Sequence, residues 1–221
     1  MCTMLVGFYI PINAEQMSVK TVSIGEPVIT FGEDFVSEHL QIIADGHNID
    51  FIRTSREDGT ATLRIVEDGE TISTQVCTID YLAIWYALSS ESLGDTPTTF
   101  DRTAGYDYIY IKSDVRTAYF TPENGKYSSI LSMVSAVLSP LSMSASLIAA
   151  VASLIYSHSS APVETKMVYT MTWYDVTLKN SPGDHLYFQC EYYVDTYAKN
   201  TSSSWTYLGR ESDYFTSDSV Y

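Results

Sequence analysis

Between residues 48 and 78, apolar and polar positions alternate in three short runs: Asn48–Ser55 (NIDFIRTS), Thr60–Val66 (TATLRIV) and Thr71–Thr78 (TISTQVCT). Asp58-Gly59 and Asp68-Gly69 separate them, and both residue types tolerate the positive φ that a tight hairpin needs. Ala61, Leu63 and Ile65 fall on one strand face. The pattern predicts a three-stranded meander. Upstream, residues 15–32 alternate loosely, with breaks at Gly25 and Gly32. Asp34–Ala44 (DFVSEHLQIIA) sets Phe35, Leu40 and Ile43 near one helical face, with Asp45-Gly46 after them, and reads as a short helix. Tyr81–Leu88 (YLAIWYAL) fits helical and strand spacing alike, and Thr78 and Asp80 as caps favour a helix. Residues 89–99 are polar, with Gly94 and Pro97, and read as a loop. They divide an N-terminal β-meander region, 15–93, from a second region, 94–221.

In the second region, Tyr106–Ile111 (YDYIYI) and Val115–Phe120 (VRTAYF) read as another hairpin, turning near Ser113-Asp114. Near the C-terminus, Lys166–Leu178 and His185–Tyr197 alternate with period two. In the latter, Leu186, Phe188, Cys190, Tyr192 and Val194 share one face. Tyr187, Gln189, Glu191, Tyr193 and Asp195 share the other, the pattern of a half-buried antiparallel strand with one wet side. Residues 180–184 and 200–203 are the turns, and Ser204–Gly209 (SWTYLG) is a third strand.

Between these strands lies a different pattern. From Tyr127 to Val163 there is no Asp, Glu, Lys or Arg. Ile130, Met133, Val134, Val137, Leu138 and Leu141 recur at helical spacing. Leu147, Ile148, Val151, Leu154 and Ile155 continue it past Pro140. Ser132, Ser135, Ser139, Ser142 and Ser146 form a small-residue stripe, extended by Ala149 and Ser153, of the kind that lets helix backbones approach closely. Ser139-Pro140 has the form of a helix start. The prediction is a helix near 128–138 and another near 140–157, antiparallel or as one kinked rod. At about 1.5 Å per residue neither leg spans a bilayer core of about 30 Å, and the run is rich in serine. Burial against sheet is the leading reading, and release onto a membrane is the alternative. The expected fold is α+β, antiparallel sheet around a central Ser/Ala-rich helical pair.

Charge narrows the partners. The chain has 12 Lys and Arg against 27 Asp and Glu, a formal net charge of −15 over 221 residues. Such a surface repels phosphates, so no nucleic-acid partner is expected. Residues 1–126 hold 19 of the acids and 8 of the bases, so the first half carries most of the acidic surface. The sequence has no G-x-S-x-G, H-E-x-x-H, P-loop or G-x-G-x-x-G motif. His39, His47, His158 and His185 are scattered without triad or metal spacing. Residues 45–50 (DGHNID) read as an ordinary turn rather than a cation loop. No enzyme activity, cofactor or metal is expected.

Cys2 to Ile12 is an uncharged, mostly apolar stretch of signal-peptide core length, ended by Asn13-Ala14 and the polar Glu15-Gln16. It reads as the remnant of an export signal, 1–14, with a first β-strand as the alternative. Export would leave Cys77 and Cys190 in an oxidising compartment, where they can pair as a disulfide; two buried free thiols are the other reading.

The order of parts resembles a loose group of small secreted proteins of Gram-positive bacteria that includes the large unmodified bacteriocins of the geobacillin type. The resemblance rests on PINAEQ near the start and on DGTATLRIVEDGETIS followed by IDYLAIWYAL. The Ser/Ala-rich run and the Tyr-rich close (YFQCEYYVDTYAKN, then WTYLG) complete it. It implies a secreted antimicrobial protein whose partner is a bacterial membrane or cell envelope, with the apolar residues of the helical pair as the contact surface. It carries over no catalytic residue. A non-enzymatic adhesion module, binding glycan or protein through exposed Tyr and Trp, is the rival class.

Overall fold

The computed structural model describes residues 20–82, 84–85, 105–122, 125–158, 164–179, 185–199 and 204–217. Two antiparallel sheets enclose a helical pair, which makes the fold α+β. The six-stranded sheet contains β1 (Val22–Ile24), β2 (Val28–Phe31), β3 (Phe35–Ala44), β4 (His47–Arg56), β5 (Thr60–Glu67) and β6 (Glu70–Thr78). Strands β3 to β6 are a meander in chain order, while β1 and β2 lie end to end along the outer edge of β3. The second sheet runs β10 (Thr206–Ser217), β9 (His185–Lys199), β8 (Glu164–Leu178), β7 (Tyr106–Phe120). The pair, α1 (Tyr127–Leu138) and α2 (Ala145–His158), lies between β7 and β8 in the chain and between the two sheets in space.

The expected meander forms as β4, β5 and β6, with Gly59, Asp68 and Gly69 at positive φ in its turns. Its inward face, Ala61, Leu63 and Ile65, is buried. One core joins Leu40, Phe51, Leu63 and Ile65 of the first sheet to the helices. It continues through the helices to Met167, Trp173, Tyr192 and Phe215 of the second sheet. Sheet, helical pair and sheet thus form three layers around a shared apolar interior.

Three expectations need correction. Residues 35–44 form a strand, not a helix: Val36, Glu38, Leu40, Ile42 and Ala44 alternate inward, and the Asp45-Gly46 pair is a hairpin turn with both φ positive. A charged residue at the inward position 38 interrupts the apolar alternation and conceals its period of two. Residues 106–120 form one strand that pairs with β8 along its length, with a bulge between Tyr110 and Lys112, rather than a hairpin. Neither Ser113 nor Asp114 has positive φ, and the Ser113 hydroxyl instead lies 3.2 Å from that of Thr172 on β8. The second helix begins at Ala145, not at Pro140, which sits in a short 3-10 turn, Ser139–Leu141. Ser142 follows in the left-handed conformation at φ 61°.

On β9 the expected wet face is polar but closed at its centre: Gln189 and Glu191 are buried. Tyr174 stands opposite Gln189 and Tyr214 opposite Glu191, so tyrosine rings flank them on that face. The third C-terminal strand is longer than the SWTYLG run and reaches Ser217. Residues 81, 82, 84 and 85 are helical, as expected for the start of that segment. The export-signal remnant at 1–14, the loop at 89–99 and the turns at 180–184 and 200–203 lie outside the described residues.

Candidate functional site

The helical pair is the site singled out by sequence, and its geometry is that of an antiparallel hairpin. Tyr127, at the start of α1, donates its hydroxyl hydrogen bond to the Ala149 carbonyl in α2 at 2.9 Å. Its ring stands edge-on to that of Tyr156, near the end of α2, with centroids 5.6 Å apart. Ile130, Val134, Leu138, Leu147, Ile148, Val151 and Ile155 are buried in the shared core. Met133, Val137, Leu141 and Leu154 are half-buried. Every apolar residue expected to form the contact surface therefore lies on the hairpin, facing the core or its margin.

The small-residue stripe divides its work. Ser132 reaches the first sheet: Gln75 donates to its hydroxyl at 2.8 Å, and that hydroxyl donates to Ser73 at 2.9 Å. Ser135 and Ser153 donate to carbonyls of their own helices, at Ser132 and Ala149. Such back-bonding lets a hydroxyl sit in an apolar layer without an unmet donor. On the other flank β10 passes close to α2, where a Cβ at Gly209 would lie 3.1 Å from the Leu154 side chain.

The elbow between the helices is fastened by buried charge. Arg53 on β4 and Glu38 on β3 are cross-strand partners, both inward-facing and almost wholly buried, and form an ion pair. Arg53 also donates to the Met143 carbonyl of the elbow. The first N–H of α2, at Ala145, donates to the other Glu38 oxygen at 3.3 Å, where a carboxylate suits the positive helix end. Ser144 caps α2: the Leu147 N–H donates to its hydroxyl at 3.2 Å, and that hydroxyl donates to Asp213 on β10 at 2.6 Å. Loss of solvent raises the Asp213 carboxyl above the ordinary Asp value of 3.8. Tyr192 donates to the Leu141 carbonyl at 3.2 Å, and complete burial holds its phenol well above its ordinary value.

The open end of the hairpin is fastened at the margin of the core. Ser128 donates to Glu67 at 2.8 Å. Tyr156 donates to Asp45 in the β3–β4 turn. That bond and one from the Thr21 N–H hold Asp45 below its ordinary value, while burial and then Asp45 push Tyr156 up to about 12. The Lys20 ammonium lies 4.2 Å from the centre of the Tyr156 ring.

A cavity of about 750 Å3 adjoins the elbow, between the two sheets. Trp173 and Phe215, edge-to-face at 5.3 Å, line it from the second sheet, and Pro140, Leu141 and Ser142 line it from the elbow.

Among the described residues, no group of three or more His, Cys, Asp or Glu is placed to hold a metal ion. His39 contacts Asp50 at 2.8 Å and His185 contacts Asp175 at 2.7 Å, while His47 contacts Asp68 at 2.7 Å and Glu67 at 3.9 Å. Cys77 on β6 and Cys190 on β9 belong to different sheets and are free thiols, so the disulfide is not formed in this structure. Burial raises both thiols, Cys190 lying wholly in the core and Cys77 half-buried at its margin.

Sequence reasoning missed Glu38, Arg53, Asp213 and the cavity. A signal for the first two exists: Arg53 occupies the next inward position after Ile49 and Phe51 in a run otherwise read correctly as a strand. A charge at a core-facing position asks for a partner. Comparison with protein-family models, curated proteins and solved structures finds no match to this chain.

Proposed function

We propose that the protein is a secreted, bacteriocin-like antimicrobial that acts on the envelope of competing bacteria, with the helical hairpin as its membrane-active segment. One observation carries the reading. The hairpin is an insertion within the β7–β8 connection, and the strands on either side of it are already paired, Phe120 opposite Thr165. The uncharged hairpin can therefore leave the core without breaking any strand ladder; only its packing and its few polar fastenings must yield.

Its dimensions suit insertion into one leaflet. Helices of 12 and 14 residues reach about 18 and 21 Å at 1.5 Å per residue. Among the described residues no helix is long and apolar enough to cross a membrane. A released pair would lie in the interfacial zone with its apolar face buried in lipid. Purified protein is expected to kill related Gram-positive cells and to release dye from vesicles. Protein that does neither, with the hairpin protected from protease throughout, refutes the reading.

A second reading has its own support. Tyr110 and Tyr119 on β7 and Tyr207 on β10 are exposed, as an adhesion module binding glycan or protein would require. Binding on a glycan array or to isolated envelopes, without killing or leakage, favours it.

A further inference from the structure

The strands at the sheet edges differ in how much they leave open. β7 has 15 residues, against 12 in β10, 9 in β6, 4 in β2 and 3 in β1. Among the described residues it pairs with β8 alone, so its second edge presents backbone N–H and C=O groups without a strand partner. It also exposes Ile109, Tyr110, Ile111, Val115 and Tyr119, while no other edge strand exposes more than two large apolar side chains. A long, apolar, open edge is a template for another strand.

The residues of β7 say which strand fits. A two-fold axis perpendicular to the sheet pairs β7 with β7 of a second copy, antiparallel and with each face preserved, so the axis passes through a residue. Asp114 and Arg116 stand opposite Met171 and Tyr169 on the inward face, and Ser113, Val115 and Thr117 stand opposite Thr172, Thr170 and Val168 on the outward face. Inward charges on an edge strand commonly block pairing. Here they select a register. An axis at Asp114 sets two carboxylates against each other, and an axis at Arg116 sets two guanidiniums together. An axis at Ser113 runs the bulge of each copy, between Tyr110 and Lys112, against residues 114–116 of the other. An axis at Thr117 leaves Asp114 opposite Phe120. With the axis at Val115, each Asp114 faces Arg116 of the second copy, Ser113 faces Thr117, and the bulges fall at the ends of the paired segment. Asp114 and Arg116 already meet within one chain at 2.7 Å, so the four charges alternate around a square. Val115, 61% exposed in the single chain, then packs against its own copy.

We propose that β7 pairs antiparallel with β7 of a second copy about a two-fold axis at Val115, joining two four-stranded sheets into one continuous sheet. The contact is isologous, so association closes at two chains. The inference is independent of the antimicrobial reading, since it concerns the folded protein in solution whatever its target.

The test is sedimentation velocity of the intact protein from about 1 to about 200 µM, the range in which a small interface associates. A reversible monomer–dimer equilibrium is expected. Val115→Lys sets two ammonium groups at the axis and should weaken the dimer about tenfold or more. Asp114→Arg alone, or Arg116→Asp alone, brings like charges together at both crossings and should weaken it similarly. Mixing these two variant proteins restores opposite charges at both crossings and should recover a mixed dimer. The three side chains are substantially exposed, so the variants are expected to fold, which the urea midpoint of each checks. Should a charge variant unfold, Val115→Lys decides alone. A monomer throughout the range overturns the proposal. So does open-ended association into larger species, a Val115→Lys dimer as tight as that of the parent chain, or folded charge variants that stay monomeric when mixed.

Discussion

The two ends of the helical hairpin are held in opposite ways. At the elbow the fastening is buried: Arg53, Glu38 and Tyr192 lie in the core, and Asp213 has lost most of its water. At the open end it lies at the margin of the core: Tyr156 donates to Asp45 in an exposed turn, and Ser128 donates to Glu67. The lesson concerns magnitude. A buried charge left without its partner costs several kcal/mol, whereas a surface pair is worth about one or less. The elbow is therefore the firm end and the open end the yielding one.

The sharpest way to break this contrast is at Arg53. Arg53→Met leaves Glu38 buried and unpaired and is expected to cost about 3–5 kcal/mol in urea denaturation. Replacing both partners, Arg53→Met with Glu38→Leu, should recover much of that loss, because the apolar pair removes the stranded charge. A double variant as unstable as the single one would show that the ion pair itself, not the avoidance of an orphan charge, secures the elbow.

Ser144→Ala removes the cap of α2 and the donor to Asp213, with an expected loss of about 1–2 kcal/mol. At the other end Tyr127→Phe deletes one bond to the Ala149 carbonyl and should cost about 1 kcal/mol. If Tyr127→Phe proves as damaging as Arg53→Met, the ranking of the two ends is wrong.

The smallest effect is the pH response, and its sign differs between the ends. The Asp213 value is raised, so its contribution is complete below the ordinary Asp value of 3.8 and fades as pH rises through the raised value. The Asp45 value is lowered, so its contribution is complete above 3.8 and fades as pH falls through the lowered value. Mild acidification from neutral should thus firm the elbow, and stronger acid should loosen the open end. Asp213→Asn is expected to flatten the first change and Asp45→Asn the second, read as urea midpoints across the acid range.

Much of the fold was legible where period and punctuation agreed. The Asp-Gly pairs delimit β4, β5 and β6, and the uncharged run marks both helices. The failures share one cause. Glu38 interrupts the inward face of β3, and the Lys112–Asp114 block mimics a turn in β7. Ser142 and Ser144 reset a helix that Pro140 had seemed to begin. At each place polar residues occupy positions that serve the elbow or the cavity, so local pattern and tertiary role conflict. The candidate hairpin was visible because its composition is extreme. What holds it was harder to see: the charge at inward position 53 asks for a partner, but nothing local names residues 38 and 143 as the groups that meet it.

The position of the helices between β7 and β8 also sets an order of assembly. The first sheet is a sequence-local meander, finished at Thr78, so all its strands have been made before the helices emerge. The second sheet cannot begin until β8 exists, because β7 has its partner on the far side of the helices. During synthesis the nascent hairpin therefore meets one sheet first, with its other flank bare until the last strands arrive. Nascent-chain accessibility should peak over the interval in which β8 to β10 are being made.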